Sequence, residues 1–417
     1  MAMADSVRGR QSRMDQAQMV EPLEGRVLLS SAALDPGFGV TSEGVLSNPQ
    51  VLGVQADGKI LVAGKESGMG WTVLRYNANG RIDQSFGNKG MAVVSGLVTM
   101  ESSGVLAVQV QSNGKIILGG TVYDPGAQRY VLVRLLANGQ MDQGFGSQGI
   151  VQTPMVTYGY FGVHMEIGLQ GKRIVVGATH QGDFAVMSYT DRGLPYKKFG
   201  KRGFTAVDFG GEDSLGAMAL DSQGKVIVGG RALNTGGQWD FALARLAANG
   251  KLDPSFHKDG KLTTNLGSNE WISSIGVQTN GRITVAGAKE TAPNSGQYSG
   301  VLVRYKATGK GDATFGTKGI TGMGGYVEDE NIVFEKSGGI LVTELEGRSL
   351  QVSRFAPNGR VDEAFGTHGR QGLSLGGKAT WDVLKDTAQG SDGQVLVMLQ
   401  RETATEVPFR LVRYGIV

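Results

Sequence analysis

Short apolar runs alternate with glycine-centred polar turns along almost the whole chain. KILVAG (59–64), KIILGG (115–120), KVIVGG (225–230) and RITVAG (282–287) each follow such a turn, as in ADGK, SNGK or TNGR. Runs of this length, rich in β-branched residues and bounded by turn residues, predict strands. Asp or Asn before Gly suits a tight hairpin that needs positive φ. No stretch sustains a helical apolar period between caps, so helix is expected to be scarce.

The pattern repeats. Its central glycines are Gly58, Gly114, Gly171, Gly224, Gly281, Gly338 and Gly393, spaced 56, 57, 53, 57, 57 and 55 residues apart. A second phrase recurs with it, from TVLRYNANGRIDQSFGNKG (72–90) to QVSRFAPNGRVDEAFGTHG (351–369). Seven such units, starting near residue 34, take up the 417 residues and leave no room for a second domain. Four strands per unit at this spacing predict propeller blades. The expectation is an all-β, seven-bladed β-propeller of four-stranded antiparallel blades over 34–417, with 1–33 as an N-terminal extension.

The phase of the repeat predicts how the ring closes. With inner strands placed before the glycine turns (51–55, 105–110), blade seven has three strands, near 382–388, 394–399 and 409–414. Its missing outer strand would follow a phrase ending in Phe-Gly, and an orphan one, LDPGFG (34–39), precedes the first blade. The segment 39–46 is therefore expected beside 411–414, which would remove the open sheet edges.

The third strand carries Arg75, Arg134, Arg245, Arg304, Arg354 and Arg413. An aspartate three residues before a phenylalanine recurs as Asp83, Asp142, Asp253, Asp312 and Asp362. Blade three lacks both, having Ser188 and Tyr196 instead. Joint loss within one repeat predicts bidentate Arg–Asp pairs. For Arg413 the orphan phrase supplies Asp35, an expected lock of the ring. One phenylalanine per blade, from Phe38 and Phe86 to Phe365, reads as packing between blades.

Composition narrows the chemistry. Glycine makes up 67 of 417 residues, well above the usual share of about 7%. The absence of cysteine excludes disulfides, thiolate metal sites and thiol catalysis. A net charge of +3 gives no polybasic argument for nucleic acid, and no apolar run approaches the ~20 residues of a membrane span. The repeated glycines precede strands, so no helix N-terminus waits for a phosphate. The repeated aspartates lie outside any calcium-loop pattern. His164, His180, His257 and His368 are not expected to converge. No catalytic residue, cofactor or metal site is assigned.

Two kinds of loop remain. The regular turns fall on one face; the loops joining second to third strands, and each blade to the next, fall on the other. These vary in length and carry Tyr123, Tyr130, Tyr158, Tyr160, Trp239, Trp271, Tyr298, Tyr326, Glu328 and Trp381. Variable loops on a rigid scaffold are where binding commonly lives, and amphipathic aromatics suit contact surfaces. The expected role is non-catalytic recognition of a protein or glycan. The alternatives are a lyase or hydrolase of sugar polymers at the channel mouth, with Glu328, Asp329, Glu330 and Asp382 as first carboxylates, and a purely structural envelope module.

On DGKILVAG (57–64), LVRLLANGQMDQGFG (132–146) and their counterparts, the chain resembles the delta-60 repeat β-propeller family. That resemblance covers about 34–417 and implies a propeller, with no catalytic residues to carry over. VEPLEGRVLLSSA (20–32) resembles the LEPR-XLL segment of secreted or surface proteins, with Gly25 in place of its proline. It implies export.

Overall fold

The computed structural model describes residues 32–416 apart from 36, 39, 43–45, 47, 67, 98–103, 125–126, 158–162, 325–331, 336, 347–348, 376–382, 391 and 401–408. Seven antiparallel sheets stand around an axis, and all regular structure among the described residues is β. In blades one to six, chain order is strand order from axis to rim. Blade four is representative: Asp213–Leu220, Val226–Leu233, Trp239–Leu246 and Lys261–Thr264.

The second and third strands are sandwiched between neighbouring blades. Both their faces are therefore apolar, and Ile60, Leu61, Val62 and Ala63 are fully buried in succession. The core lies in layers between blades: Phe86 of blade one packs with Val108, Leu118 and Val133 of blade two. Burying a phenylalanine removes about 150–250 Å² from water, so each seam gains one such anchor.

The third-strand arginines hold these seams. Arg75 Nε donates to Asp83 Oδ2 at 2.8 Å, Arg134 to Asp142 at 2.7 Å, Arg245 to Asp253 at 2.9 Å and Arg304 to Asp312 at 2.9 Å. The expected two-pronged pairing is replaced by something broader. Each Nη1 instead reaches a backbone carbonyl of the next blade: Ala137 at 2.5 Å, Asp191 at 2.5 Å, Ala307 at 2.5 Å, and Pro357. Each guanidinium also lies 4.4–4.8 Å from the centre of its blade's phenylalanine, as with Phe86 and Phe256. A second cation from the glycine turn completes the site: Lys59, Lys115, Lys225 or Arg282 meets the same aspartate oxygen at 2.8–3.0 Å.

Glycine makes the approach possible. Gly139 of blade two has φ +89°, and a Cβ there would sit 2.9 Å from the Phe86 ring of blade one; Gly250 (φ +78°) meets Phe199 in the same way at 2.6 Å. The backbones touch there as well, Gly87 N donating to Asn138 O at 2.8 Å. His257, which replaces a glycine of this series, keeps the contact by adopting φ 49° and donating to Thr308 O at 2.7 Å.

Two blades depart from the scheme in opposite ways. In blade three, Arg173 at the start of the second strand takes over: its guanidinium lies 4.9 Å from the Tyr196 ring and donates to Ala248 O of blade four at 3.3 Å. In blade six, Gly339 stands where the lysine would be, and Arg354 divides itself between Glu335 at 3.0 Å and Asp362 at 3.3 Å.

Blade seven comprises Val383–Gln389, Val395–Gln400 and Phe409–Ile416, and the N-terminal segment completes it. Two short strands pair with its third: Ala32–Leu34 through Leu34↔Tyr414, and Val40–Ser42 through Val40↔Leu411. The first was not anticipated, and the 33/34 boundary falls inside it. It corresponds to the Tyr76↔Ile82 bridge of blade one, lengthened. Between the two strands, Arg413 Nη2 donates to Asp35 Oδ2 at 2.6 Å and Nη1 to Ala78 O of blade one at 2.8 Å, with Phe38 4.5 Å from the guanidinium. On the axis side, Leu52 N donates to Asp386 Oδ2 at 2.6 Å and joins the inner strands of blades one and seven.

Deleting residues 32–42 should lower the melting temperature by more than about 10 °C, the shift that several kcal/mol produce in a domain of this size; an unchanged melt would refute the closure. Acid should also act on the seams. Burial tends to raise Asp253, but hydrogen bonds from Lys225 and Ser255 and the charge of Arg245 outweigh it and hold the carboxyl well below its ordinary range. A carboxylate depressed in the folded state stabilises above its unfolded pKa of about 3.9 and loses that contribution as pH falls through the folded value. Asp253→Asn should therefore cost about 3 kcal/mol near neutrality. In pH-dependent melts, the gap from wild type should stay constant down to about pH 4 and narrow below it.

Candidate functional site

The regular turns occupy one face, where Lys59, Lys115, Lys225, Arg282 and the paired aspartates are engaged in the seams just described. On the opposite face, a cleft of about 640 Å³ opens between blades three and four. Thr179 is the penultimate residue of the second strand of blade three, and Gln181–Gly182 turn the chain into the third. Glu212 and Asp213 belong to the connection from blade three to blade four. Arg231 and Trp239 face each other across the second and third strands of blade four, with the guanidinium 4.3 Å from the ring centre. Burial pulls the Arg231 pKa below its ordinary value, against the opposing charge of Glu212.

The connection is pinned from both sides. Asp213 N donates to Gly182 O at 2.5 Å, and Leu215 N to Thr179 Oγ1 at 3.0 Å. Asp213 Oδ2 accepts from Phe209 N at 2.7 Å. Asp213 is 1% exposed, and burial, abetted by the charges of Asp183 and Asp208, pushes it up to about 7. Burial likewise raises Asp183.

An aromatic ridge continues from the cleft onto blade five. Trp239 N donates to Asn269 Oδ1 at 3.0 Å, which ties the rim of the cleft to the next connection. Two residues on, Trp271 meets Tyr298 edge-to-face, with centroids 4.7 Å apart. The loop preceding Tyr298 is held by Glu290, which accepts from Gly296 N at 2.8 Å and Asn269 Nδ2 at 2.9 Å. The three half-buried aromatics Trp239, Trp271 and Tyr298 thus sit on neighbouring, hydrogen-bonded loops.

The other singled-out residues fare differently. Tyr123 is 49% exposed and stands apart on blade two. Tyr130 requires a correction: it is fully buried in the layer between blades two and three. The stretch read as a loop is mostly a hairpin of Ile116–Asp124 and Ala127–Leu135, in which Thr121 pairs with Tyr130. Tyr158, Tyr160, Tyr326, Glu328 and Trp381 lie outside the described residues, as do Asp329, Glu330 and Asp382.

Within the central channel, a cavity of about 720 Å³ is lined by inner strands of blades seven, one and two and by residues of blade three. Its Asp386 is bonded to Leu52 N, and His164 Nε2 lies 3.2 Å from Glu166 Oε1. The cleft between blades three and four was missed because its polar groups are scattered singly along the chain. A signal was available: Asp183, Asp208 and Asp213 recur 57 residues later as Asp240, Asn265 and Glu270.

Truncation separates the two kinds of aromatic. Tyr130→Ala should destabilise by about 3–5 kcal/mol, as for other large core side chains, while Trp239→Ala and Tyr123→Ala should cost roughly 1 kcal/mol or less. Denaturant melts check this; equal losses would contradict the assignment of faces.

The family described as "Domain of unknown function (DUF5122) beta-propeller" matches residues 55–86, 111–145, 222–256 and 278–315. No curated protein matches the chain. Among solved structures, the polysaccharide lyase Uly1 superposes with a TM-score of 0.52 at 12% identity, over 92% of this chain and 98% of that one. The Dos1 propeller gives 0.47 at 8% identity, over 92% and 95%. The NanB sialidase of Streptococcus pneumoniae gives 0.41 at 9%, over 91% and 70%. At such identities the likeness is one of fold. The chain is a seven-bladed β-propeller of sequence repeats, and stretches of four of its blades match that family's model.

Proposed function

We propose that this protein is a non-catalytic recognition module that binds a glycan through its variable face. The observation that carries this reading is the cleft between blades three and four, where Trp239 and Arg231 meet Thr179, Gln181 and Glu212. An aromatic ring offers a surface for the apolar face of a sugar, and the surrounding hydroxyl, amide and charged groups offer its hydroxyls partners. The ridge of Trp271 and Tyr298 extends that surface, so a chain of several sugars fits better than one. Because the loops are cross-linked by hydrogen bonds, little ordering cost falls on binding. A protein partner presenting a loop would use the same groups. The repeats are, in this proposal, of the delta-60 type, and the segment 20–32 is an export signature of the LEPR-XLL kind that places the module outside the cell.

One observation favours a second reading. Asp213 lines the cleft with Asp183 and Asp208 close behind it, and grouped carboxylates at a cleft are what general acid–base catalysis uses. In that case the cleft would cleave the polymer it holds.

A glycan array and a pull-down from secreted proteins, run on the full chain, decide between these. The expected result is selective binding to a glycan class, weakened at least tenfold by Trp239→Ala, the range of an aromatic contact residue. Absence of any glycan binder, or binding indifferent to Trp239→Ala, would overturn the proposal. Chain shortening of the bound polysaccharide, abolished by Asp213→Asn with binding retained, would establish the enzyme instead.

A further inference from the structure

Asp183, Asp208 and Asp213 each present a carboxylate oxygen, and these three oxygens lie within 4.8 Å of one another. They come from three separate places: the start of a third strand, the residue just past an outer strand and the start of the next blade's inner strand. We propose that they hold one divalent cation of the hard, oxygen-seeking kind, Ca²⁺ before others, at the seam between blades three and four.

The independent observation is an orphaned atom. Asp213 is 1% exposed, and its Oδ1 is fully buried with no hydrogen-bond partner, while Oδ2 is taken by Phe209 N. A buried, unpartnered carboxylate oxygen costs free energy unless a proton or a cation meets it. Among the described residues, no lysine or arginine forms an ion pair with any of the three aspartates. Lys261 is the near candidate, but its Nζ donates to the backbone oxygen of Asp208 at 2.7 Å and lies 5.5 Å from the Phe209 ring. His180, the other titratable group facing Asp183, has its Nδ1 against Val156 N at 3.1 Å.

The next seam supplies a comparison within the molecule. With no insertion or deletion between them, Asp183, Asp208 and Asp213 correspond to Asp240, Asn265 and Glu270. The buried acid caps its connection identically: Glu270 Oε1 accepts from Leu266 N at 2.7 Å, as Asp213 Oδ2 does from Phe209 N. The middle position differs. Asn265 Nδ2 donates to Asp240 Oδ1 at 2.8 Å, and Asn234 Nδ2 donates to the same oxygen at 2.8 Å. That seam satisfies Asp240 with amide protons and leaves only Glu270, whose Oε2 is also unpartnered, for a single proton to neutralise. The first seam replaces the amide with a third carboxylate, and one proton does not balance three acids.

The donor set selects the ion. All three donors are carboxylate oxygens, which suit Ca²⁺ or Mg²⁺ rather than a metal that seeks nitrogen or sulfur. Ca²⁺ accepts six to eight oxygens in irregular geometry, which suits donors brought from three separate segments, whereas Mg²⁺ demands a near-ideal octahedron. Asp208 is exposed, which leaves the remaining positions to water. Asp213 also lines the cleft, so the ion would stiffen its wall whether or not a glycan binds there.

The test is calorimetric titration of the chelator-stripped full chain with CaCl₂, with MgCl₂ alongside. The expected result is one site per chain, Ca²⁺ binding at least about tenfold tighter than Mg²⁺, with a Kd of about 0.1–1 mM, the range of extracellular sites. Ca²⁺ should also raise the melting temperature. Asp208→Asn, which copies the next seam, should weaken Ca²⁺ at least tenfold and erase that rise, and Asp183→Asn should do the same. Asp240→Asn should leave both unchanged. No binding of either cation up to about 10 mM, above the weakest such sites, would overturn the proposal. So would unaltered Ca²⁺ affinity in both folded seam variants.

Discussion

At five of the seven seams, among the described residues, one guanidinium does three things at once. It neutralises an aspartate of its own blade, lies against that blade's phenylalanine and donates to a carbonyl of the next blade. A charge buried this deeply is tolerable only when its donors are met. That requirement fixes how the next blade sits, because the carbonyl must stand where Nη1 points. Packing between blades then follows: the phenylalanine is locked under the guanidinium and against a glycine that has no side chain to obstruct it. Blade three shows that the constraint belongs to the seam rather than to a sequence position. Its arginine comes from another strand and its acid is gone, yet the carbonyl of blade four is still met.

A ring built this way has one seam where the chain does not run on. There the same three contacts are assembled from opposite ends of the molecule, Arg413 with Asp35, Phe38 and Ala78 O. Once the ring is rigid, the face that takes no part in the seams is free to vary. The cleft lies on that face, where the connections can change side chains without disturbing a seam. The seam between blades three and four is where that freedom gathers three acids around one buried oxygen.

Much of this was legible in the residues. Turn glycines at near-constant spacing carry blade number and phase, and the orphan phrase with Asp35 carries the closure. The reach of each arginine into the next blade was not legible, because its acceptor is a backbone carbonyl and carries no side-chain signature. The lysine of the glycine turn recurs plainly, but its partner lies more than twenty residues away, at Asp83 for Lys59. Tyr130 was misplaced because a hairpin extends beyond its β-rich core, and alternation along the added strand turns that ring inward. The acid cluster escaped notice because each aspartate is ordinary alone. Only the comparison of Asp208 with Asn265 at the same blade position sets it apart.

The N-terminal segment closes the ring with a seam of the same kind as those inside it. Native-state amide hydrogen exchange on the intact chain tests it most directly. The amides of Asp35, which donates to Arg413 O at 2.8 Å, and of Ser42, in the strand paired with Phe409, should open with a free energy close to that of the outer strands of blades four and five. Exchange there at the rate of an unstructured peptide, with the other outer strands protected, would contradict it.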